Sequence, residues 1–124
     1  MRIEAIGSPN EEGLPISDGI KAGDFIFVSG MVAFGSDGEI VAGGVAAETD
    51  KIMHDLAVVL GKAGSALSDV VKVTVYLTDA ADFDAFNSTY AKYFDDPLPA
   101  RIGVVAALTI NAKVEMDFIA YVGP

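Results

Sequence analysis

Cysteine is absent from this chain of 124 residues. That absence excludes disulfide bonds, thiolate nucleophiles and cysteine-ligated metals, and it is compatible with a reducing cytoplasm. Histidine is nearly absent as well, since His54 has no second imidazole nearby in sequence. We therefore expect neither a metal site nor a serine–histidine triad. No apolar run reaches the roughly 18 residues of a membrane span, and the N-terminus lacks the apolar core of a secretory signal, so we expect a cytoplasmic protein without membrane contact.

Positive charge is also scarce, because 8 basic residues face 18 acidic ones for a net charge of −10. A polyanion without a basic stripe is repelled by phosphate backbones, so we expect no nucleic-acid partner. The arginines are Arg2, near the N-terminus, and Arg101, at the start of an apolar run. A guanidinium in an acidic protein forms a local anion site whose planar fork suits a carboxylate or phosphate. The alternative for Arg101 is a structural ion pair, or a stem lying along apolar surface.

Apolar residues, in contrast, are plentiful: they make up 52% of the chain, and the mean hydropathy is +0.43. The length fits a single domain over residues 1–124. Such a composition is apolar for a small soluble monomer, so we expect part of the surface to be buried in an oligomer.

Hydrophobic periodicity indicates alternating strands and helices. Residues 7–15 have loop composition, 24–34 and the turn 35–38 suggest a strand and a hairpin turn, and 43–64 and 82–94 have helical spacing. Further strands are predicted over 70–77, 101–108 and 113–122. The order β–β–α–β–α–β–β predicts an α+β fold, with two helices packed on one face of a mixed sheet.

Several details of these elements can be tested. In the strand 70–77, period 2 assigns Val71, Val73, Val75 and Leu77 to one face. Asp82 is the predicted N-cap of the second helix, whose aromatic stripe we expect to lie mainly in the core.

The last two strands are predicted to form a hairpin with its turn near Ile110. Glu115 would then face Val105, on the side of its strand opposite Val114 and Met116. At roughly 3.3 Å per residue, Arg101 and Glu115 would be too far apart for direct contact. Either a ligand or water lies between them, or a neighbouring subunit completes the site; alone, Glu115 would be an ordinary solvated carboxylate.

Taken together, these segments resemble the RidA family, also called the YjgF family. The resemblance is carried by "GDFIFVSGMVAF" (23–34), by residues 48–94, and by "PLPARIGVVAALTINAKVEMDFIAYV" (97–122). The spacing Asn-x-x-Tyr-x-x-x-Phe before Pro-Ala-Arg is its most specific part. It implies a chorismate-mutase-like (YjgF-like) subunit in a homotrimer, with clefts between neighbours and no cofactor. The implied activity is hydrolysis of reactive 2-imino or 2-enamino acids, such as 2-iminopropanoate and 2-iminobutanoate, to 2-keto acids and ammonia.

The resemblance also assigns roles to individual residues. Arg101 matches the arginine that binds the substrate carboxylate, and Glu115 matches the acid that positions the attacking water. Asn87 matches an asparagine near the cleft, and Ser29 and Gly30 match residues on the strand that lines it.

Three positions depart from the family pattern. Gly103 stands where many members carry cysteine, and only its backbone is expected to serve the site. Ile16 replaces the tyrosine that closes over the ligand, but it remains a candidate wall residue with Val104 and Val105. Met31 replaces a common glutamine.

Other functions remain open at this point. The chain could be a catabolic relative acting on aminoacrylate or another imine or enamine metabolite, or a ligand-binding or chaperone-like trimer without enzymatic activity. The ribonuclease label used for part of the family is a third alternative, which the charge of −10 opposes.

Overall fold

The computed structural model describes residues 2–7 and 13–124. Its strands are β1 (Ile3–Ile6), β2 (Gly19–Ala22), β3 (Phe25–Met31), β4 (Val70–Leu77), β5 (Ala100–Val105) and β6 (Val114–Tyr121), and its helices are α1 (Gly44–Lys62) and α2 (Phe83–Tyr90). Neither helix combines the length and apolarity needed to cross a membrane.

All six strands belong to one sheet, in the order β1-β2-β3-β6-β4-β5. Neighbouring strands are antiparallel except β4 and β5, which are parallel. A parallel pair needs a crossover connection, and α2 lies in it. The predicted α+β architecture, a mixed sheet with two helices on one face, is confirmed.

The core lies between the helices and this one face of the sheet. Ile52, Leu56 and Leu60 recur every fourth residue along α1 and are fully buried, as expected for one face of a helix. They belong to the same buried cluster as Val73 of β4 and Phe118 of β6. Each such side chain contributes about 1.5–3 kcal/mol by leaving water, so this face holds the helices to the sheet.

The predicted hairpin of the last two strands is wrong. β6 lies between β3 and β4, whereas β5 pairs with β4 alone, so the segment 106–113 is a crossover loop. Glu115 consequently lies opposite Tyr76 and not Val105. Period 2 identifies a strand and its inner face but says nothing about which strand pairs with it.

One local prediction fails, and another is confirmed in position only. Val71 is 41% exposed, because a bulge in β4 between Val70 and Lys72 turns it outward and gives Val70 its place in the core. Asp82 precedes α2 as predicted but makes no capping hydrogen bond. Instead, the carboxylate of Asp79 accepts the N–H of Ala81 at 2.9 Å, one short turn earlier.

The N-terminal part holds two strands that were not predicted, β1 and β2. Both have four residues, and β2 contains glycine and lysine, so neither gives a clear alternation.

The predicted strand 24–34 ends at Met31 as β3, and beyond it the turn 35–38 closes with only an isolated bridge between Phe34 and Ile40. Of the predicted loop 7–15, residues 13–15 lack regular structure; residues 8–12 lie outside the described part.

Candidate functional site

The residues singled out in the sequence separate into two cavities. The first, here the arginine cavity, has a volume of about 200 Å³ and is lined by Val75, Leu77, Ala80, Phe83, Phe86, Arg101, Gly103, Val104 and Val105. The second, here the glutamate cavity, has a volume of about 440 Å³ and is lined by Leu14, Ile16, Ser17, Asp18, Ser29, Gly30, Met31, Val32, Phe34, Val59, Thr109, Ile110 and Glu115.

In the arginine cavity, Arg101 packs against the aromatic residues of α2. Its guanidinium carbon lies 4.9 Å from the ring centre of Tyr90, 5.5 Å from that of Phe86 and 5.9 Å from that of Phe83. Phe83, Phe86 and Tyr90 have the spacing i, i+3 and i+7, so they lie on the same side of α2. The flat face of an aromatic ring attracts a cation. Within residues 2–7 and 13–124 Arg101 has no carboxylate partner. The structural ion pair considered as its alternative role is therefore not found in this part of the chain.

Tyr90 does not supply the missing negative charge. Its hydroxyl is buried and has no hydrogen-bond partner among the described residues. Burial raises the pKa of Tyr90, and the positive charge of Arg101 opposes this only in part. The phenol is therefore neutral at physiological pH, and an anionic ligand of Arg101 has to come from outside these residues.

The glutamate cavity is shaped by a bulge in β3. Pairing with β6 shifts register between Val28 and Met31, which turns the backbone at Ser29 away from β6. Ser29 donates its N–H to the carbonyl of Asp18 at 3.0 Å and its hydroxyl to the carbonyl of Ser17 at 2.6 Å. These bonds fix the segment that carries the neighbouring Ile16 at the cavity wall.

Glu115 lies against Gly30 in this cavity. A Cβ atom at position 30 would be only 2.5 Å from Glu115 Oε2, so the glycine leaves the space that the carboxyl group occupies. Partial burial raises the pKa of Glu115, and the negative charge of Asp117 raises it further. Such a carboxyl group exchanges its proton closer to neutral pH than an ordinary glutamate, which suits general acid–base chemistry.

Arg101 and Glu115 do not face each other within one chain. Arg101 pairs with Val73, which pairs with Phe118, three residues along β6 from Glu115. Glu115 is therefore two strands away from Arg101 across the sheet and three residues away along the strand direction. Together these displacements separate the two Cα atoms by roughly 14 Å. The odd offset also assigns the two side chains to opposite faces of the sheet. One chain alone therefore cannot apply both groups to a small ligand.

The remaining predicted residues follow this division. Gly103, Val104 and Val105 line the arginine cavity, where a Cβ at position 103 would meet open space, while Ile16 belongs to the other cavity. Asn87 is half-buried on α2 and is not among the described residues that line either cavity.

Sequence reasoning missed Phe83 as a site residue. The aromatic stripe was expected to be core, and Phe86, Tyr90 and Phe94 are indeed buried. Phe83 is 46% exposed and lines the arginine cavity. Phe83 is the first residue of the helix, and this terminal position was the available signal that it lies outside the core.

His54 takes no part in either cavity. It is exposed, and its ring meets that of Tyr93 edge-on at 6.0 Å. In the described part of the chain, no group of three histidine, aspartate or glutamate residues lies close enough to hold a metal ion.

Comparison with known proteins gives a consistent result. The family model described as Endoribonuclease L-PSP matches residues 11–122. A RutC family protein of Pyrococcus abyssi is 43% identical over 109 residues, 86% of each chain. The mouse 2-iminobutanoate/2-iminopropanoate deaminase is 39% identical over 112 residues, covering 89% of this chain and 83% of that protein. The solved structure of yeast Mmf1 superposes with a TM-score of 0.89 at 30% identity, covering 98% of this chain and 99% of that one, which confirms the YjgF-like fold.

Proposed function

The chain belongs to the RidA family, whose family model is described as Endoribonuclease L-PSP, and from this premise we propose that it hydrolyses reactive 2-imino acids to 2-keto acids and ammonia. 2-Iminopropanoate and 2-iminobutanoate are the proposed substrates. The observation that carries the proposal is the pair of complementary groups: a guanidinium without a carboxylate partner in the described residues, and a carboxyl group with a raised pKa. The name of the mouse relative supports the same reaction.

Arg101 binds the substrate carboxylate in this mechanism. A guanidinium donates two parallel N–H bonds to a carboxylate, and this fixes the direction of the adjoining imine carbon. The apolar lining contributed by Val75, Leu77 and Val105 lowers the local dielectric, which strengthens the charge pair. Binding therefore both selects an α-carboxylate and orients the carbon that reacts.

Glu115 then acts first as general base and afterwards as general acid. As a carboxylate it accepts a proton from water while the water oxygen bonds to the iminium carbon, and the C=N electron pair moves to nitrogen. Glu115 then protonates the nitrogen of the resulting carbinolamine and becomes a carboxylate again. As the C–N bond breaks and ammonia leaves, the C=O bond forms and the hydroxyl proton passes to Glu115, which releases it to ammonia or to solvent. Water is the only co-reactant, so no cofactor is required. The raised pKa makes Glu115 a stronger base than an ordinary glutamate, which favours its uptake of a proton from water.

Because the two groups lie in separate cavities of one chain, the active site is proposed to form between subunits of a homotrimer. Every residue of the edge strand β5 is exposed in the single chain. Phe25, Phe27 and Tyr121 form an exposed aromatic cluster on the sheet. Exposed apolar surface of this kind is typical of subunit interfaces. In the assembly, the arginine cavity of one copy would face the glutamate cavity of the next.

Complementation tests this arrangement and the activity together. Arg101→Ala and Glu115→Gln, each with its own affinity tag, are co-expressed and purified as mixed trimers of about three times 12.9 kDa. In every trimer that contains both variants, one of the three inter-subunit sites combines an intact arginine with an intact glutamate, so about a third of the sites are complete. We expect ammonia release from 2-iminopropanoate to recover to a similar fraction of wild type.

The matched control mixes Arg101→Ala with Arg101→Lys, which cannot rebuild any site. A site within one chain predicts no recovery in either mixture. An active monomer would contradict the trimer, whereas a wild-type trimer that binds 2-oxobutanoate but releases no ammonia would favour the ligand-binding alternative.

A further inference from the structure

Arg101 occupies an unusual position for a residue that has to bind precisely. It lies on β5, an edge strand whose residues are all exposed, and an arginine in such a place ordinarily samples many rotamers. No carboxylate in the described residues holds its guanidinium. What limits its motion is α2, through the rings of Phe83, Phe86 and Tyr90.

The three rings form what we term the aromatic cradle. Rings stabilise a cation without occupying its N–H donors, which lie at the edge of the guanidinium plane. A carboxylate partner would fix the side chain equally well but would compete with the ligand. The cradle thus limits the motion of the arginine while leaving its hydrogen-bonding capacity for an anion.

We propose that Phe83 is a positioning residue for substrate binding: with Phe86 and Tyr90 it holds the Arg101 guanidinium in the wall of the arginine cavity. The role of Arg101 itself rests on the proposed function. Phe86 and Tyr90 are 0% and 8% exposed and belong to the core, so their side chains are also required for folding. Phe83 is 46% exposed and lines the cavity, which makes it the member that can be changed without opening the core.

The first test needs no substrate. Arg2 and Arg101 are the two arginines of the chain, so a ¹⁵N–¹H spectrum of arginine Nε–Hε groups contains two signals, assigned with Arg101→Lys. The proposal predicts that ring currents shift the Arg101 signal upfield of the Arg2 signal. Phe83→Leu, which keeps an apolar side chain but removes the ring, should move the Arg101 signal toward that of Arg2. Phe83→Tyr should retain the shift.

Phe25→Leu is the matched control for the spectrum. Phe25 is 42% exposed, close to the value for Phe83, but its ring neighbours are Phe27 and Tyr121. Because Phe25 belongs to the exposed aromatic cluster, sedimentation first checks that this variant keeps the wild-type assembly. The same chemical change there should then leave the Arg101 signal in place. An Arg101 signal that is unaffected by Phe83→Leu overturns the proposal.

The second test measures binding of 2-oxobutanoate, the product of 2-iminobutanoate hydrolysis, to the intact assembly. Loss of the cation–π contact between Phe83 and Arg101 predicts a Kd about 3- to 10-fold higher for Phe83→Leu, with a rise in KM larger than the fall in kcat. Phe83→Tyr keeps the ring and should have near-normal affinity. Unchanged affinity in Phe83→Leu, while Arg101→Lys binds weakly, overturns the positioning role alone. Unchanged affinity in Arg101→Lys overturns the proposed function, and the spectrum still decides whether the cradle holds the arginine.

Discussion

The arginine cavity and the glutamate cavity treat a charged group in opposite ways. Arg101 lies against flat aromatic faces, which stabilise a cation without using its donors. Glu115 has its charged form disfavoured, because partial burial and the neighbouring Asp117 both raise its pKa. A binding group has to stay ionised, whereas a group that exchanges protons has to change state easily. The two environments therefore suit two different tasks within one proposed reaction.

The largest effect on activity is expected for Glu115→Gln, which removes the proton-exchanging group and leaves the binding group intact. The amide keeps the shape of the side chain but cannot accept a proton, so kcat for 2-iminopropanoate hydrolysis should fall about 10²- to 10⁴-fold. Affinity for 2-oxobutanoate should be nearly retained, because Arg101 is intact. Steady-state kinetics and calorimetric titration measure the two effects. A variant with wild-type kcat would remove Glu115 from the chemistry.

The same variant tests the raised pKa through stability. A carboxyl group whose folded-state pKa exceeds its ordinary value of 4.5 costs stability as pH rises from that value through the raised one. Glu115→Gln carries no such cost, so it should be at least as stable as wild type near pH 7.5. The difference should disappear below about pH 4, where both side chains are neutral. Denaturant unfolding at the two pH values gives the comparison.

The next effect in size is expected for Arg101→Lys. Lysine keeps the positive charge but loses the planar fork, so kcat/KM should fall about 30- to 1,000-fold. The trimer should survive, because lysine keeps the positive charge and Arg101 pairs with no carboxylate in the described residues. Sedimentation of the variant checks its assembly. Loss of folding or assembly would show that the arginine has a structural role instead.

The smallest of these effects distinguishes two glycines. Gly30→Ala places a Cβ in the space of the Glu115 carboxyl group, so the side chain has to rotate away and kcat should fall about 10- to 100-fold. Gly103→Ala places a Cβ in open space in the other cavity and should cost less than about 3-fold. Equal losses in the two variants would mean that Glu115 does not depend on the space at Gly30.

The sequence already indicated a large part of the site. Arg101 was prominent because arginine is rare in this acidic chain, and its neighbours Gly103, Val104 and Val105 do line its cavity. Ile16, Ser29, Gly30 and Glu115 were named through the family resemblance, and they share the second cavity. The sequence did not reveal that these are two cavities, because that division depends on which strands pair.

Local patterns determined the elements other than the short strands β1 and β2, and tertiary structure determined which elements are neighbours. Helical spacing correctly located α1, and the alternation of Val114, Met116 and Phe118 correctly predicted the inner face of β6. Each pattern arises because one side of a helix or strand is buried, so it can be recognised from the order of apolar residues within that element alone. The place of β6 between β3 and β4, and the bulges that turn Val71 outward and Ser29 toward Ser17, depend on contacts between distant segments. Such pairings are decided by the total burial of the folded sheet, and no single stretch of sequence records them.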